Sequence, residues 1–314
     1  MNINLSRREF LSVAATLAAA SLLPALAEEP LRISITMDDF NWSGNAIVLN
    51  SQERNHAILE TLRSAKLKAA LFVAGKFIDG ENKKEGTELL SRWDGAGHVI
   101  GNHTYSHWFY PEKELKEYQQ DILKCEALLK PYKNFQKLFR FPFLKEGNTV
   151  EQRDSMRRFL KQNGYRNGHV TIDASDWYID QRLRERYQKD PKADLNPYKK
   201  YYIEHLLDRA AYYERLGQLV LKRSIRHTIL VHHNTLNGLF LSDVIAAFRS
   251  KGWKWIDASE AFQDPVFNRE PDVLPAGESL LIALAKQTGK FESLLRYPGE
   301  DSEYEEKKMD DLGL

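Results

Sequence analysis

The sequence predicts an α/β fold, a distorted (β/α) barrel of about seven parallel strands that carries a helical insertion and a C-terminal extension. Three observations predict it. Short β-rich apolar runs alternate with amphipathic helical stretches, the pattern of parallel strands joined by crossover helices. Polar residues able to do chemistry follow several of these runs, where parallel barrels and open α/β sheets put their sites. At 314 residues, 42% hydrophobic and 28% charged, the chain has the make-up of a globular protein that can bury a sizeable core.

Taken in order, Ser6, Arg7, Arg8, Glu9, Phe10 and Leu11 precede an alanine-rich apolar run, and Ala25, Leu26 and Ala27 offer the small residues a signal peptidase reads. Residues 1–27 are therefore expected to be a signal peptide of the twin-arginine type, sending the chain to the periplasm or outside the cell. Strands are predicted over 32–37, 69–73, 98–101, 137–141, 169–173, 228–232 and 254–257, and helices over 46–66, 112–129, 150–163, 197–221 and 242–251. The stretch 180–223 is long, charged and tyrosine-rich with no strand-like run, and reads as a helical insertion in a domain spanning 28–263. Turn residues punctuate 264–314, which is expected to wrap that domain and to end in a few loose residues.

Charge and cysteine content exclude several classes. Lys+Arg total 45 against 44 for Asp+Glu, a balance with no long-range field to recruit nucleic acid, so a neutral substrate fits better than a polyanion. After residue 27 no stretch is apolar enough to be a membrane span. The single cysteine, Cys125, cannot form an intrachain disulfide, and reads as a half-buried filler in a helix rather than a nucleophile. No Gly-x-Ser-x-Gly elbow is present, which argues against a serine hydrolase.

The first strand ends in Thr36-Met37-Asp38-Asp39-Phe40. Adjacent carboxylates face opposite ways in a continuing strand, but a turn can bring both to one site. Such crowding is costly unless a cation takes one as a ligand, leaving the other as a base; a solvated turn is the plain alternative. After the third strand, His103 and His107 stand four residues apart, and in a helical turn both imidazoles would share an ion. No glutamate follows His103, so the zinc-protease motif His-Glu-x-x-His is absent. Three more strand ends carry Arg140-Phe141-Pro142-Phe143, Asp173-Ala174-Ser175-Asp176-Trp177 and Leu230-Val231-His232-His233. Each is weak alone, but their joint occurrence in this order is rare in a random chain.

In this order the motifs resemble the polysaccharide deacetylase family, also called the NodB-homology domain or carbohydrate esterase family four, over about residues 31–257. The family's Thr-Phe-Asp-Asp-Gly is similar to Thr36–Phe40, its His-Ser/Thr-x-x-His is matched by His103–His107, and its Arg-x-Pro-Tyr/Phe by Arg140–Phe143. Its Asp-x-x-Asp-Trp is matched by Asp173–Trp177 and its Leu-x-His by Leu230–His232. The resemblance implies Asp39, His103 and His107 as metal ligands, Asp38 as the base and His232 as the acid. It further implies that Arg140 holds Asp38, Asp173 orients His232, Trp177 and Leu230 line an acetyl pocket, and the Phe143 N–H helps hold an oxyanion. Phe40 and Met37 depart from the family's glycine and phenylalanine, which could tighten the turn or narrow the pocket. His233 stands where aspartate is common and competes with His232 for the role of acid.

The chemistry agrees with these implied roles. An amide needs a strong nucleophile, a stabilised oxyanion and a proton for its nitrogen, and one cation with open positions plus a base and an acid supplies all three. Two nitrogens and one oxygen suit zinc first, and also accept cobalt, nickel or manganese. The expected partner is an N-acetylated glycan: peptidoglycan, a chitin oligomer or an exported polysaccharide. Two alternatives stand beside it: the same mechanism on an O-acetyl ester or a small non-sugar amide, and a non-catalytic glycan-binding protein. Tyr105, Trp108, Phe109, Tyr110 and Trp177 are the aromatic candidates for stacking on sugar rings.

Overall fold

The central parallel strands of this protein are buried on both faces, and their composition says why: β1 (Arg32–Asp38) is RISITMD, apolar or neutral throughout except at its ends, and is buried at every position after Arg32. The computed structural model describes residues 30–41, 47–81 and 83–314; the predicted signal peptide lies outside the described residues. Leu31–Leu314 form one unit.

After β1 come α1 (Ser51–Ala65), β2 (Ala70–Val73), α2 (Lys76–Asp79), α3 (Lys83–Gly95), β3 (Val99–Asn102), α4 (Leu115–Leu129), β4 (Phe135–Phe139), β5 (Lys145–Gly147), α5 (Val150–Gln162) and β6 (Arg166–Asn167). The second half holds α6 (Asp176–Lys189), α7 (Asn196–Leu221), β7 (Arg226–His232), α8 (Thr235–Ser250), β8 (Lys254–Trp255), α9 (Ala258–Ala261), β9 (Ala276–Gly277), α10 (Leu280–Thr288) and α11 (Glu303–Asp311). None of the helices among the described residues is long and apolar enough to cross a membrane.

The main sheet has the order β6-β4-β3-β2-β1-β7, all parallel, with β8 also paired to β1. Its two ends approach each other through the segment after β6. Arg166 and Asn167 pair with β4, while Ile172 bridges Ile229 of β7 and accepts from the N–H of Leu230 at 2.9 Å. The sheet thus curls into the distorted barrel expected. The predicted strand 169–173 is corrected by this: the segment crosses from one sheet edge to the other and holds only an isolated bridge, since it cannot pair regularly with either.

Local signals explain the helix starts. Asn50 caps α1 in a capping box, accepting from Glu53 N (2.9 Å) while Glu53 accepts from Asn50 N (2.9 Å), so the helix begins at Ser51 rather than at residue 46. Asn234 accepts from Asn237 N (3.0 Å) and starts α8 seven residues earlier than predicted. The region read as a helical insertion is α6 and α7. Beyond residue 264 the chain is fully engaged: β9 pairs antiparallel with β5, and Leu280 N donates to Val170 O at 2.8 Å. Near the end of the chain α11 packs back through Met309, which is fully buried.

The register places the chemistry. β1 and β7 pair over seven residues, from Arg32 with Arg226 to Asp38 with His232, so the last residues of two adjacent strands stand side by side. Val73 pairs with Asn102, and Arg140 N donates to Asn102 O at 3.0 Å, bringing the other motif-bearing ends to the same rim.

Candidate active site

At the carboxyl ends of the strands lies a cleft of about 340 Å³. Asp38, Asp39, His103, His107, Phe143, Trp177, Leu230 and His232 all line it, so eight of the ten residues singled out in the sequence converge there. The other two, Arg140 and Asp173, are buried beneath it.

β1 stays extended through Asp38 and then turns at Asp39, whose φ of 54° is left-handed. That reversal brings adjacent carboxylates into one site. Asp38 is buried, and its Oδ1 accepts from Arg140 Nη1 at 2.6 Å. Burial pushes its carboxyl up to about 6 against the pull of Arg140. Arg140 is itself fixed by Gly168 O (2.8 Å to Nε) and Thr36 Oγ1 (2.9 Å to Nη1), and stacks over Phe72.

Asp39, His103 and His107 each present one ligand atom, all within 4.8 Å of one another. Asp39 Oδ1 lies 3.2 Å from His107 Nε2 and 3.9 Å from His103 Nε2, and is buried with no hydrogen-bond donor among the described residues. A carboxylate oxygen left so is explained by a cation. His103 Nδ1 is 2.8 Å from the carbonyl of Arg140, an acceptor only, so the proton sits on Nδ1 and Nε2 offers its lone pair to the site. Burial lowers both imidazoles below their usual range, His103 strongly, which keeps them neutral as ligands must be. The donor set therefore fits a divalent ion such as zinc.

The two histidines are presented by a turn, not the helix considered from spacing. Thr104 (φ 65°) and His107 (φ 52°) are left-handed, and the turn is held by side chains. Thr104 N donates to Asn102 Oδ1 (2.8 Å), His107 N to Thr104 Oγ1 (2.9 Å), and the N–H groups of Tyr105 and Ser106 to Asp121 (2.9 and 2.8 Å). On the far side Phe143 (φ 57°) and Leu144 (φ 53°) are left-handed as well, and the Phe143 ring packs 4.8 Å from that of His107. Non-glycine residues in this region store strain, which concentrates at functional sites.

Across the cleft, His232 Nδ1 is 2.7 Å from Asp176 Oδ1, and Asp176 Oδ2 accepts from His232 N and Asn234 Nδ2, each at 2.8 Å. Burial disfavours the imidazolium, but the charge and hydrogen bond of Asp176 outweigh it and hold His232 up at about 10. Asp176 corrects the expectation that Asp173 orients His232. Asp173 points away, its Oδ2 accepting from Gly299 N at 2.6 Å, because the chain turns into α6 at Ser175 and carries Asp176 under the end of β7.

His232 and His233 both line the cleft but have different surroundings. The latter is buried, packs against Phe40 and Trp93, and its Nδ1 accepts from Asn41 N (3.3 Å) and Arg54 Nε (3.4 Å). Burial lowers it well below the usual range. Phe40 and Met37, the departures at the first motif, are fully buried and do not line the cleft. Leu230 packs with Leu144 and Val170 in the cleft wall, and Trp177 is anchored by Nε1 donating to Gly299 O at 2.9 Å.

Of the aromatic candidates, only Trp177 lines the cleft; Tyr110 is core, stacked near Tyr118 and Phe141, and Tyr105 lies under Lys124. Cys125 is fully buried, beyond the half-burial expected. Residues missed in the sequence are Asp180, Gln181 and Arg184 of α6, Leu144, Asn234, and Glu300 from the C-terminal segment. The first three could have been found by the helical spacing from Asp176. Burial and the neighbouring Asp173 push Glu300 up to about 7.

The polysaccharide deacetylase family profile matches residues 27–168. A peptidoglycan-N-acetylglucosamine deacetylase of Bacillus cereus is 29% identical over 121 residues, which is 38% of this chain and 40% of that protein. A second of the same name and organism is 27% identical over 135 residues, 43% of this chain and 44% of its own. The chain thus spans less than half the length of these curated relatives. A crystal structure of a mutant of a CE4 family pseudoenzyme from Bacillus anthracis is 17% identical, with a TM-score of 0.50 over 75% of this chain and 68% of that one; this likeness concerns the fold.

Proposed function

The chain belongs to the polysaccharide deacetylase family, and on that premise we propose that it hydrolyses N-acetyl groups on a carbohydrate. One observation carries the reading: Asp39, His103 and His107 present converging ligand atoms in one cleft with Asp38, a carboxylate fixed by Arg140, and His232, an imidazole fixed by Asp176. Asp39, His103 and His107 would hold the cation. When bound, such an ion supplies Lewis acidity, polarising the acetyl carbonyl and lowering the pKa of water to roughly 7.

The residues supply the rest. Asp38, with Oδ1 committed to Arg140, takes the proton from the attacking water; its raised pKa of about 6 suits a base working near neutrality. Leu230 and Trp177 line the cleft where an acetyl methyl can be shielded from water. His232 then gives its proton to the nitrogen as the C–N bond breaks, releasing acetate and an amine, while Asp176 keeps the ring oriented. A binding protein would need neither a held base nor a held acid. Peptidoglycan is the glycan supported by the names of the relatives, and the twin-arginine signal proposed for residues 1–27 would deliver the chain to it.

The test is acetate release across N-acetylglucosamine oligomers, peptidoglycan fragments and O-acetylated xylan. Chelation should abolish it and zinc or cobalt restore it; full activity after chelation would remove the ion from the mechanism. Asp38→Asn should keep the ion and lose turnover, whereas Asp39→Ala or His107→Ala should lose the ion. Equal metal loss in all three would overturn the assignment of base and ligands.

A further inference from the structure

The C-terminal segment brings into the cleft a carboxylate that the proposed chemistry does not use. Glu300 lines the cleft with Asp38, Asp39 and His232, and among the described residues no hydrogen bond or ion pair holds its side chain. Among its charged neighbours Asp173 acts on its carboxyl most strongly, raising it, and His232 next, lowering it.

The backbone beside it is clamped. Gly299 N donates to Asp173 Oδ2 at 2.6 Å and Gly299 O accepts from Trp177 Nε1 at 2.9 Å. Arg209 of α7 ties the two segments together, Nε donating to Asp173 O at 2.8 Å and Nη1 to Tyr297 O, two residues before Gly299, at 3.0 Å. A Cβ on Gly299 would fall 2.4 Å from Asp173 Oδ1 and 2.8 Å from the Ala174 backbone, so glycine is what permits the approach. Five residues after Glu300, Glu305 is fully buried and accepts from Tyr201, Tyr297 and His205. The chain is thus fastened on both sides of a side chain that has no partner of its own. Holding a carboxylate among other carboxylates costs free energy that a ligand rich in hydrogen-bond donors would recover.

We propose that Glu300 is a specificity-determining residue that accepts hydrogen bonds from the hydroxyl and amino donors of a neutral amino-sugar unit and repels units carrying a carboxylate. This deepens the deacetylase reading and rests on it for the reacting group. Asp173, on this view, is a positioning residue that acts through Gly299.

The test uses the full chain loaded with zinc. For Glu300→Gln, KM for an N-acetylglucosamine oligomer should rise about 10-fold, in the range a hydrogen bond to a charged group is worth, with kcat changed less than about 3-fold. Discrimination against an oligomer whose amino sugars carry a carboxylate ether should shrink by about the same factor. Gly299→Ala should move both quantities in the same direction, and zinc affinity and circular dichroism should be unaltered in Glu300→Gln. Unchanged KM and discrimination in both variants would overturn the proposal. Equilibrium binding of the intact neutral oligomer to wild type and Glu300→Gln separates this from failure of the deacetylase reading. If wild type releases no acetate, that reading falls, while 10-fold weaker binding by the variant still supports the role of Glu300. Equal or absent binding in both overturns it.

Discussion

Replacing Asp176 by asparagine takes the charge from the carboxylate that, among the described residues, is hydrogen-bonded to the ring of His232. Asp176 is fully buried and 2.7 Å from Nδ1. The rise of His232 from 6.5 to about 10 corresponds to roughly 5 kcal/mol in favour of the imidazolium. Burial opposes that rise and Asp176 is its leading support, so in Asp176→Asn the ring should fall below 6.5 and be neutral at pH 7. An amide is also able to donate toward Nδ1 and favour the wrong tautomer. Loss of a positioned general acid lowers turnover by about 10²- to 10⁴-fold. The assay is an NMR titration of the His232 ring in cation-free protein, paired with acetate release by the zinc-loaded protein at pH 7. Asp173→Asn is the control, and should leave the titration of His232 in place. If Asp173→Asn lowers the His232 pKa as far as Asp176→Asn does, or if Asp176→Asn leaves the ring charged at pH 8, the assignment of the orienting carboxylate is refuted.

Arg140→Leu should destabilise the fold by about 3–5 kcal/mol, because it leaves Asp38 buried without its ion pair; an unchanged urea midpoint would contradict this. In the same variant the Asp38 carboxyl should titrate above about 6, read by NMR in cation-free protein. Glu305 makes a pH-dependent contribution. Burial works against its charge, yet His205, Tyr201 and Tyr297 outweigh it and hold the carboxyl down at about 2 from 4.5. Its stabilisation is fully present above pH 4.5 and is lost as pH falls toward 2, about 3 kcal/mol in all. Glu305→Gln should flatten the stability profile between those limits, as measured by denaturant unfolding across pH; a wild-type slope in the variant would exclude the role.

Most of the site was legible in the sequence because four of its five motifs sit at the ends of apolar runs that do form strands, β1, β3, β4 and β7. Predicted 32–37 is β1 (Arg32–Asp38) and predicted 228–232 lies inside β7 (Arg226–His232), and their mutual register needs no more than parallel pairing. What escaped depends on chain reversals. The motif Asp173–Trp177 offers two carboxylates, and choosing between them requires knowing that the backbone turns into a helix at Ser175. The strand expected at 169–173 failed because apolar character records burial, not pairing: Val170 and Ile172 are buried between two sheet edges. α3 was overlooked since Lys83–Gly95 is largely charged, although Leu89, Leu90 and Trp93 form its buried stripe. Glu300 carries no local signal at all. It reaches the cleft only because Gly299 fits against Asp173, 126 positions earlier.

The left-handed residues around the rim set limits on how this protein can be altered. Thr104 is β-branched, a poor occupant of φ 65°, so glycine there would relieve backbone strain of order 1–3 kcal/mol. It would also delete the hydroxyl that fixes the His107 N–H. A sturdier chain would thus have a slacker grip on its two imidazoles. Selection for thermal resistance alone would push such positions toward glycine or asparagine and away from what the cleft does, so robustness in this protein is better sought in its outer helices than along the rim.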